Sequence, residues 1–278
     1  YNYQLKGLGL TPAQATIEAN KQLVAPGAAG GLGYPIFTVP NGEQLIGEDG
    51  HMNPHATLGR VIEHNGKRYT ILPDDWKSLA FRNGLRKEYD INLTGGSDKM
   101  QYYLSLGYLN NEGVAYHSDF ERITVRAKAD YEARKWLKVG TNMNFSRAKY
   151  HVIPSDDNGL FYQLNNVAPI YPAFIRDEQG NIMTDENGQM YDYGNGAVIG
   201  LRRPTLPNIN PLQENALNTN SSKVNMYSLY GYANIMPLEG LKITLNGTVT
   251  VNNSRATETK QPFYGYSHTT YPTGVVTR

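Results

Sequence analysis

The sequence predicts an all-β fold: an antiparallel, up-and-down sheet of the kind that forms part of a transmembrane β-barrel. Three observations carry this. Six segments alternate apolar and polar residues with period two, their polar faces are unusually polar, with Arg, Thr, Arg, Lys and Asp in sequence on the third, and the short and long connections fall at opposite ends of the sheet.

Residues 1–85 are rich in Gly and Pro and hold few strand patterns. Thr11 is placed to cap a helix that starts at Pro12 and runs through good helix formers to Leu23. Pro26 and the Gly-rich run 27–33 end it. Asn41-Gly42 and Asn65-Gly66 are hairpin signals, and Asp74 or Asp75 is expected to cap a short helix reaching Phe81.

Four alternating segments follow over residues 86–148. In the first, Lys87, Tyr89, Ile91 and Leu93 share a face. A turn at Gly95-Gly96-Ser97-Asp98 leads to the second, where Met100, Tyr102, Leu104, Leu106 and Tyr108 do so. In the third, Ile123, Val125, Ala127, Ala129 and Tyr131 oppose Arg122, Thr124, Arg126, Lys128 and Asp130. A tight turn at Trp136 precedes Leu137, Val139, Thr141, Met143 and Phe145. Residues 149–222 are a long loop, stiffened by Pro154, Pro169, Pro172, Pro204, Pro207 and Pro211. A hairpin spans 223–252, with strands from about Lys223 to Met236 and from Leu241 to Asn252 around Pro237-Leu238-Glu239-Gly240; residues 253–278 begin another loop.

In an up-and-down sheet successive connections alternate ends. The tight turns therefore lie at one end and the long connections at the other, the arrangement of membrane barrels with short periplasmic turns and long extracellular loops. Tyr102, Tyr131 and Trp136 fall near the tight-turn end and Tyr108 near the other, as two interfacial girdles require. The alternative is a soluble β-sandwich that binds carbohydrate. A sandwich would bury the apolar face against a second sheet; a barrel leaves it to lipid. Six strands are too few to close a barrel, which needs about eight, so the segment is expected to be part of a larger one.

Composition narrows the function. Among 278 residues, 26 Lys plus Arg balance 25 Asp plus Glu, so charge gives nucleic acid no foothold. The absence of cysteine removes disulfides and thiolate chemistry. No apolar run reaches the length of a membrane helix, which leaves a barrel open because its apolar residues occupy alternate positions. Tyr is abundant, 21 against 7 Phe, as suits membrane interfaces and sugar-binding surfaces. The opening Tyr1-Asn2-Tyr3-Gln4 has neither initiator Met nor signal peptide, and a piece of a longer chain is expected.

The residues also carry a family signature. Leu79-Ala80-Phe81-Arg82-Asn83-Gly84 follows Asp75-Trp76. Then come the run from Gly95-Gly96-Ser97-Asp98-Lys99 through Tyr108-Leu109-Asn110-Asn111-Glu112-Gly113, Ser118-Asp119-Phe120-Glu121-Arg122, and Trp136-Leu137-Lys138-Val139-Gly140-Thr141-Asn142. This resembles the SusC/RagA family of TonB-dependent outer-membrane transporters from Bacteroidetes. The resemblance is close from about Asp75 to Phe145 and resumes at Pro237–Lys242. It implies a barrel of about 22 strands around an N-terminal plug, a SusD-like surface lipoprotein as lid, energy from the TonB complex, and uptake of oligosaccharides or peptides across the outer membrane of a Gram-negative cell. The family's carboxypeptidase-like domain, TonB box and plug have no counterpart in these residues.

No reaction chemistry is legible, and no enzyme, cofactor or metal is expected. His51, His55 and His64 lie near Glu48 and Asp49, yet their spacing fits no zinc template. Asp185-Glu186-Asn187-Gly188 resembles part of a calcium loop without its downstream Glu, and with Arg176-Asp177-Glu178-Gln179-Gly180 it reads as turns of a surface hairpin. Nothing marks an activated serine, and Gly27–Gly33 lacks a phosphate-loop ending. The aromatic-rich loop, with Phe161, Tyr162, Tyr171, Phe174, Tyr191 and Tyr193, is the best candidate for solute contact, since sugars stack on ring faces; packing of the loop on itself is the competing use of the same rings.

Overall fold

The computed structural model describes residues 1–25, 31–153, 159–186, 188–262, 264–265, 270 and 272–277. Residues 26–30, Pro154 and Asn187, used above, lie outside them. In chain order the elements begin with a π-helical turn (Tyr3–Gly7), α1 (Pro12–Val24), β1 (Phe37–Thr38), β2 (Thr57–Leu58), β3 (Arg60–His64), β4 (Lys67–Ile71) and α2 (Trp76–Ala80). Then follow β5 (Arg86–Gly96), β6 (Met100–Glu112), β7 (Asp119–Arg134), β8 (Leu137–His151), α3 (Leu160–Asn166), β9 (Thr184–Asp185), β10 (Gly188–Gln189), α4 (Pro211–Leu217), β11 (Thr219–Leu238), β12 (Leu241–Lys260) and β13 (Val275–Thr277). They form two compact units, one of residues 1–80, 154–217 and 261–273, the other of 81–153, 218–260 and 274–278.

The second unit is one seven-stranded antiparallel sheet in the order β13-β12-β11-β8-β7-β6-β5, an up-and-down meander. Its register aligns six alternating sequences onto one face. Ile91 stands opposite Leu106, Leu106 opposite Val125, Val125 opposite Phe145, Phe145 opposite Tyr227, and Tyr227 opposite Val251. The neighbouring row runs Leu93, Leu104, Ala127, Met143, Leu229, Val249. A one-residue slip in any ladder would have sent a strand's apolar set to the other side.

That face is uncovered. Ile91 is 68% exposed, Val249 64% and Leu245 60%. A β-sandwich would bury these positions against a second sheet, so the sandwich alternative fails. An apolar face of this breadth left open to solvent is the mark of a surface that meets something else. On β11 it runs from Tyr227 to Ile235 and on β12 from Ile243 to Val251. Eight rises of about 3.4 Å give about 27 Å, or about 21 Å along the membrane normal at a tilt of about 40°. This is close to the apolar band of about 25 Å on outer-membrane barrels. The top of the band lies at Tyr89, Tyr108 and Ile123 on β5–β7, but two residues lower on β8, β11 and β12, where Arg147, Asn225 and Asn253 occupy the same row. Strands inclined to the membrane normal require such a step.

The strands outrun the alternation. β11 and β12 reach Thr219 and Lys260, and the β6–β7 connection shrinks to residues 113–118. Beyond the apolar band both faces are polar, so the period-two signal fades while ladder pairing continues, as in Asn110↔Glu121 and Lys223↔Arg255. Residues 275–277 add a strand where the sequence shows only loop.

The first unit has its own core of Tyr34, Ile36, Tyr69, Ile71, Tyr171, Ile175 and Ile199. α1 begins with a capping box between Thr11 and Gln14. The β3–β4 hairpin turns at Asn65 and Gly66, both at positive φ (53° and 71°), the conformation a tight two-residue hairpin needs. Asn41-Gly42 forms a turn but no hairpin, because β1 pairs instead with β2 (Phe37↔Leu58). Asp75 caps α2, accepting from the Lys77 and Ser78 amides. Asp74 is drawn elsewhere: both its oxygens bind the Arg176 guanidinium at 2.6 and 3.0 Å, and it accepts from the Ala173 amide.

Candidate solute-contact surfaces

Two surfaces carry polar and aromatic groups suited to a solute, one in each unit. On the sheet it is the face opposite the apolar band. Strand parity places Thr94, Tyr103, Lys128, Asn142, Tyr230 and Thr248 in one row and Gln101, Asp130, Gly140, Tyr232 and Asn246 in the next. The groups hold one another in place. Tyr103 donates to Asn92 Oδ1 (2.8 Å), Tyr232 donates to Asp130, and Lys128 pairs with Asp130 at 3.2 Å. Gly140 makes room for this: a Cβ there would lie 2.2 Å from the Tyr232 ring and 2.5 Å from Asp130 Oδ1. Nearer the long-connection end the same face bears Glu88, Asp90, Arg122 and Arg126, so the wall mixes both signs of charge with rings and amides. Such a surface suits a wet lumen, and its polar groups form a compact set only through register, which the sequence does not print.

The loop unit shows which of its rings remain available. Tyr171 is 1% exposed; it packs edge-on against Tyr34 (5.1 Å between ring centres) and donates to Leu32 O. Phe174 is 7% exposed and packs on Tyr191 at 5.0 Å. Burial takes Tyr171 and Phe174 out of solute contact: both are core, the use that loop packing makes of large rings. Tyr191 and Tyr193 are half-buried, with Tyr193 stacked on Tyr264 at 6.2 Å. Burial pushes the hydroxyls of both above the usual phenol range. Phe161 and Tyr162, on α3, are exposed.

Beneath these rings lies a polar network with no sequence signature. Tyr34 donates to Asp192 Oδ2 (2.8 Å) and the Gly194 amide to Asp192 Oδ1 (2.9 Å). Burial raises the Asp192 carboxyl above the usual range, opposed by the Arg203 charge and by these two donors. Arg203 is 1% exposed, donates to Ile209 O, and lies 6.0 Å over Trp76 and 5.9 Å over Tyr171. Asn210, fully buried, donates to Ala173 O and Asp192 O and ties the 192–210 segment down. The 176–180 turn and the β9–β10 pair belong to a short meander, with Arg176↔Ile182 and Phe174↔Tyr191 as rungs. The histidines scatter: His55 contacts Glu43, while His64 sits beside Asn65.

No protein-family profile matches the chain. Curated relatives do. TonB-dependent receptor P26 of Formosa agariphila is 29% identical over 184 residues, 66% of this chain and 16% of that receptor. TonB-dependent receptor SusC of Bacteroides thetaiotaomicron is 29% identical over 76 residues, 27% of this chain and 8% of that one. Among solved structures, the RagAB peptide transporter superposes with a TM-score of 0.51 at 24% identity, over 70% of this chain and 20% of that one. The chain is a SusC/RagA-type segment of a TonB-dependent transporter barrel. Its sheet is an arc of an outer-membrane SusC/RagA-type barrel that the seven strands do not close, with one apolar face left bare. The chain spans 16% or less of the curated TonB-dependent receptors it matches.

Proposed function

We propose that this chain is part of an active importer that takes up oligosaccharides or peptides, lidded by a SusD-like surface lipoprotein and energised through the TonB complex. The observation that carries the reading is the sheet itself: one face apolar and bare across six strands, the other lined with rings, amides and charges of both signs. Similarity to TonB-dependent receptors supports import. In this reading the polar face lines the lumen, and the 149–222 connection lies outside the cell, where Phe161 and Tyr162 offer rings to a solute or to the lid, with Tyr191 and Tyr193 in supporting positions. The role is transport, not catalysis.

The test uses the full-length transporter in a strain that lacks its other importers of the same class. Growth on oligosaccharide or peptide as sole source should depend on both the transporter and TonB. The double change Phe161→Ala and Tyr162→Ala should leave barrel assembly unchanged and lower uptake about 30-fold or weaken co-purification of the lipoprotein, since losing ring stacking costs on the order of 1 kcal/mol per ring. TonB-independent growth would refute the importer; unchanged uptake and co-purification would refute the role of α3. Removing residues 176–193 outright is a poorer probe, because it takes away Arg176 and Asp192, which hold the unit together.

A further inference from the structure

We propose that Arg147, Lys149, Lys223 and Arg255 form a docking site for the phosphorylated headgroups of an outer-leaflet lipid. The inference rests on the outer-membrane assignment of the sheet and on placing the long-connection end outside the cell. Strand parity puts the four cations on the lipid side: Arg147 and Lys149 share a face with Met143 and Phe145, Lys223 with Tyr227, and Arg255 with Val251. Register then gathers them. Lys223 stands directly opposite Lys149 on one side and Arg255 on the other, and Arg147 lies one row below. Three cations in one row across adjacent strands span about 10 Å.

Like charges placed directly opposite are destabilising in a sheet unless something neutralises them. The chain supplies little. Glu121 is the carboxylate across from Lys149; Asp119, one row above, is engaged by His151. Among the described residues none of the four cations takes part in an ion pair. Their height points to the occupant. The Lys149–Lys223–Arg255 row lies four residues beyond Phe145, Tyr227 and Val251, which is about 10 Å above the last apolar row at a tilt of about 40°. That is headgroup depth, within reach of long side chains that bend toward the interface. Guanidinium and ammonium groups bind phosphate by charge-assisted hydrogen bonds. A lipid phosphate seated there would relieve the repulsion, while its acyl chains continue onto the apolar band directly below.

The experiment titrates the purified full-length transporter, in neutral detergent, with a bis-phosphorylated glycolipid and with the same lipid enzymatically dephosphorylated, reading bound lipid by native mass spectrometry. Each cation near a charged lipid surface is worth about fivefold. The variant K149Q/K223Q/R255Q should therefore bind the phosphorylated lipid about 100-fold more weakly, and wild type should bind the dephosphorylated lipid with a similar loss. K242Q, on the opposite face at the other end of the sheet, should bind as wild type does. If the triple variant fails to assemble, the single variants, each expected to lose about fivefold, decide the matter, and the charge-preserving K149R/K223R/R255K should retain binding. Triple-variant affinity within threefold of wild type, equal binding of both lipids, or an equal loss in K242Q would overturn the proposal. Unchanged lipid affinity together with loss of a co-purifying protein would assign the cations to a protein partner and overturn it equally.

Discussion

Placing arginine along β6 should read out membrane depth residue by residue. The apolar positions Met100, Tyr102, Leu104, Leu106 and Tyr108 share the bare face, and Leu104 sits midway between the ends of the series. Leu106 lies two rises, about 7 Å along the strand, above that midpoint, or about 5 Å along the normal at a tilt of about 40°. Arginine on the lipid face costs about 2–4 kcal/mol at the midplane and about 0–1 near the interfaces. Leu104→Arg should therefore cost about 3 kcal/mol, Leu106→Arg about 2, and Tyr108→Arg less than about 1. Thr248→Arg, on the polar face opposite Tyr230, should stay within about 0.5 kcal/mol of wild type, as ordinary wet-surface changes do. The measurement is denaturant unfolding of the complete barrel from lipid vesicles, comparing midpoints at constant slope. A flat series along β6, or a larger cost at Thr248 than at Leu104, would refute both the facing and the depth assigned to this strand.

Two further outcomes concern the loop unit. Asp74→Asn should destabilise it by about 3 kcal/mol, because it leaves Arg176, 11% exposed, with no opposing charge; limited proteolysis within 174–191 should accelerate, and a change in cleavage below about twofold would count against the pair. The Glu43 carboxyl is held below its ordinary range, first by the Asn53 side chain and then by His55. A depressed folded-state value contributes stability above the unfolded carboxylate pKa and loses it as pH falls through the lowered value. Protection of the Asn53 and His55 amides, taken relative to their intrinsic exchange rates, should therefore fall with acid in wild type and lose that dependence in Glu43→Gln; an identical acid response in both would discount the contact.

Much of the sheet was legible because every contributing residue reports its own facing. Tyr89, Ile91 and Leu93 alternate with charged and polar neighbours, and lipid on one side with water on the other leaves no other arrangement. Legibility ended where that contrast ended. Asn110, Asn111 and Glu112 continue β6, and Asn253 through Lys260 continue β12, in stretches wet on both faces, where pairing is maintained by backbone hydrogen bonds that any residue can make. The same reasoning explains why the basic row was missed. Lys149, Lys223 and Arg255 are 74 and 32 residues apart in sequence and meet only through register, which a list of residues does not contain.

The loop unit was opaque for a different reason. Its rings sit in Gly- and Pro-rich sequence without periodicity, so Tyr171 and Tyr162 look alike until burial separates them. What distinguishes them is the set of groups each can reach. Tyr171 has the Tyr34 ring and the Arg203 guanidinium within ring-contact range, a carbonyl for its hydroxyl, and the Trp76 indole N–H donating to its own backbone carbonyl. Tyr162, on a single short helix, has fewer neighbours to cover it and stays exposed. A long loop that must present rings to a ligand first has to bury enough others to hold its shape, since ordering a residue's backbone costs about 1–2 kcal/mol. Six aromatics in the connection are thus not six exposed rings: Tyr171 and Phe174 supply the core, Tyr191 and Tyr193 brace the meander, and Phe161 and Tyr162 stay exposed.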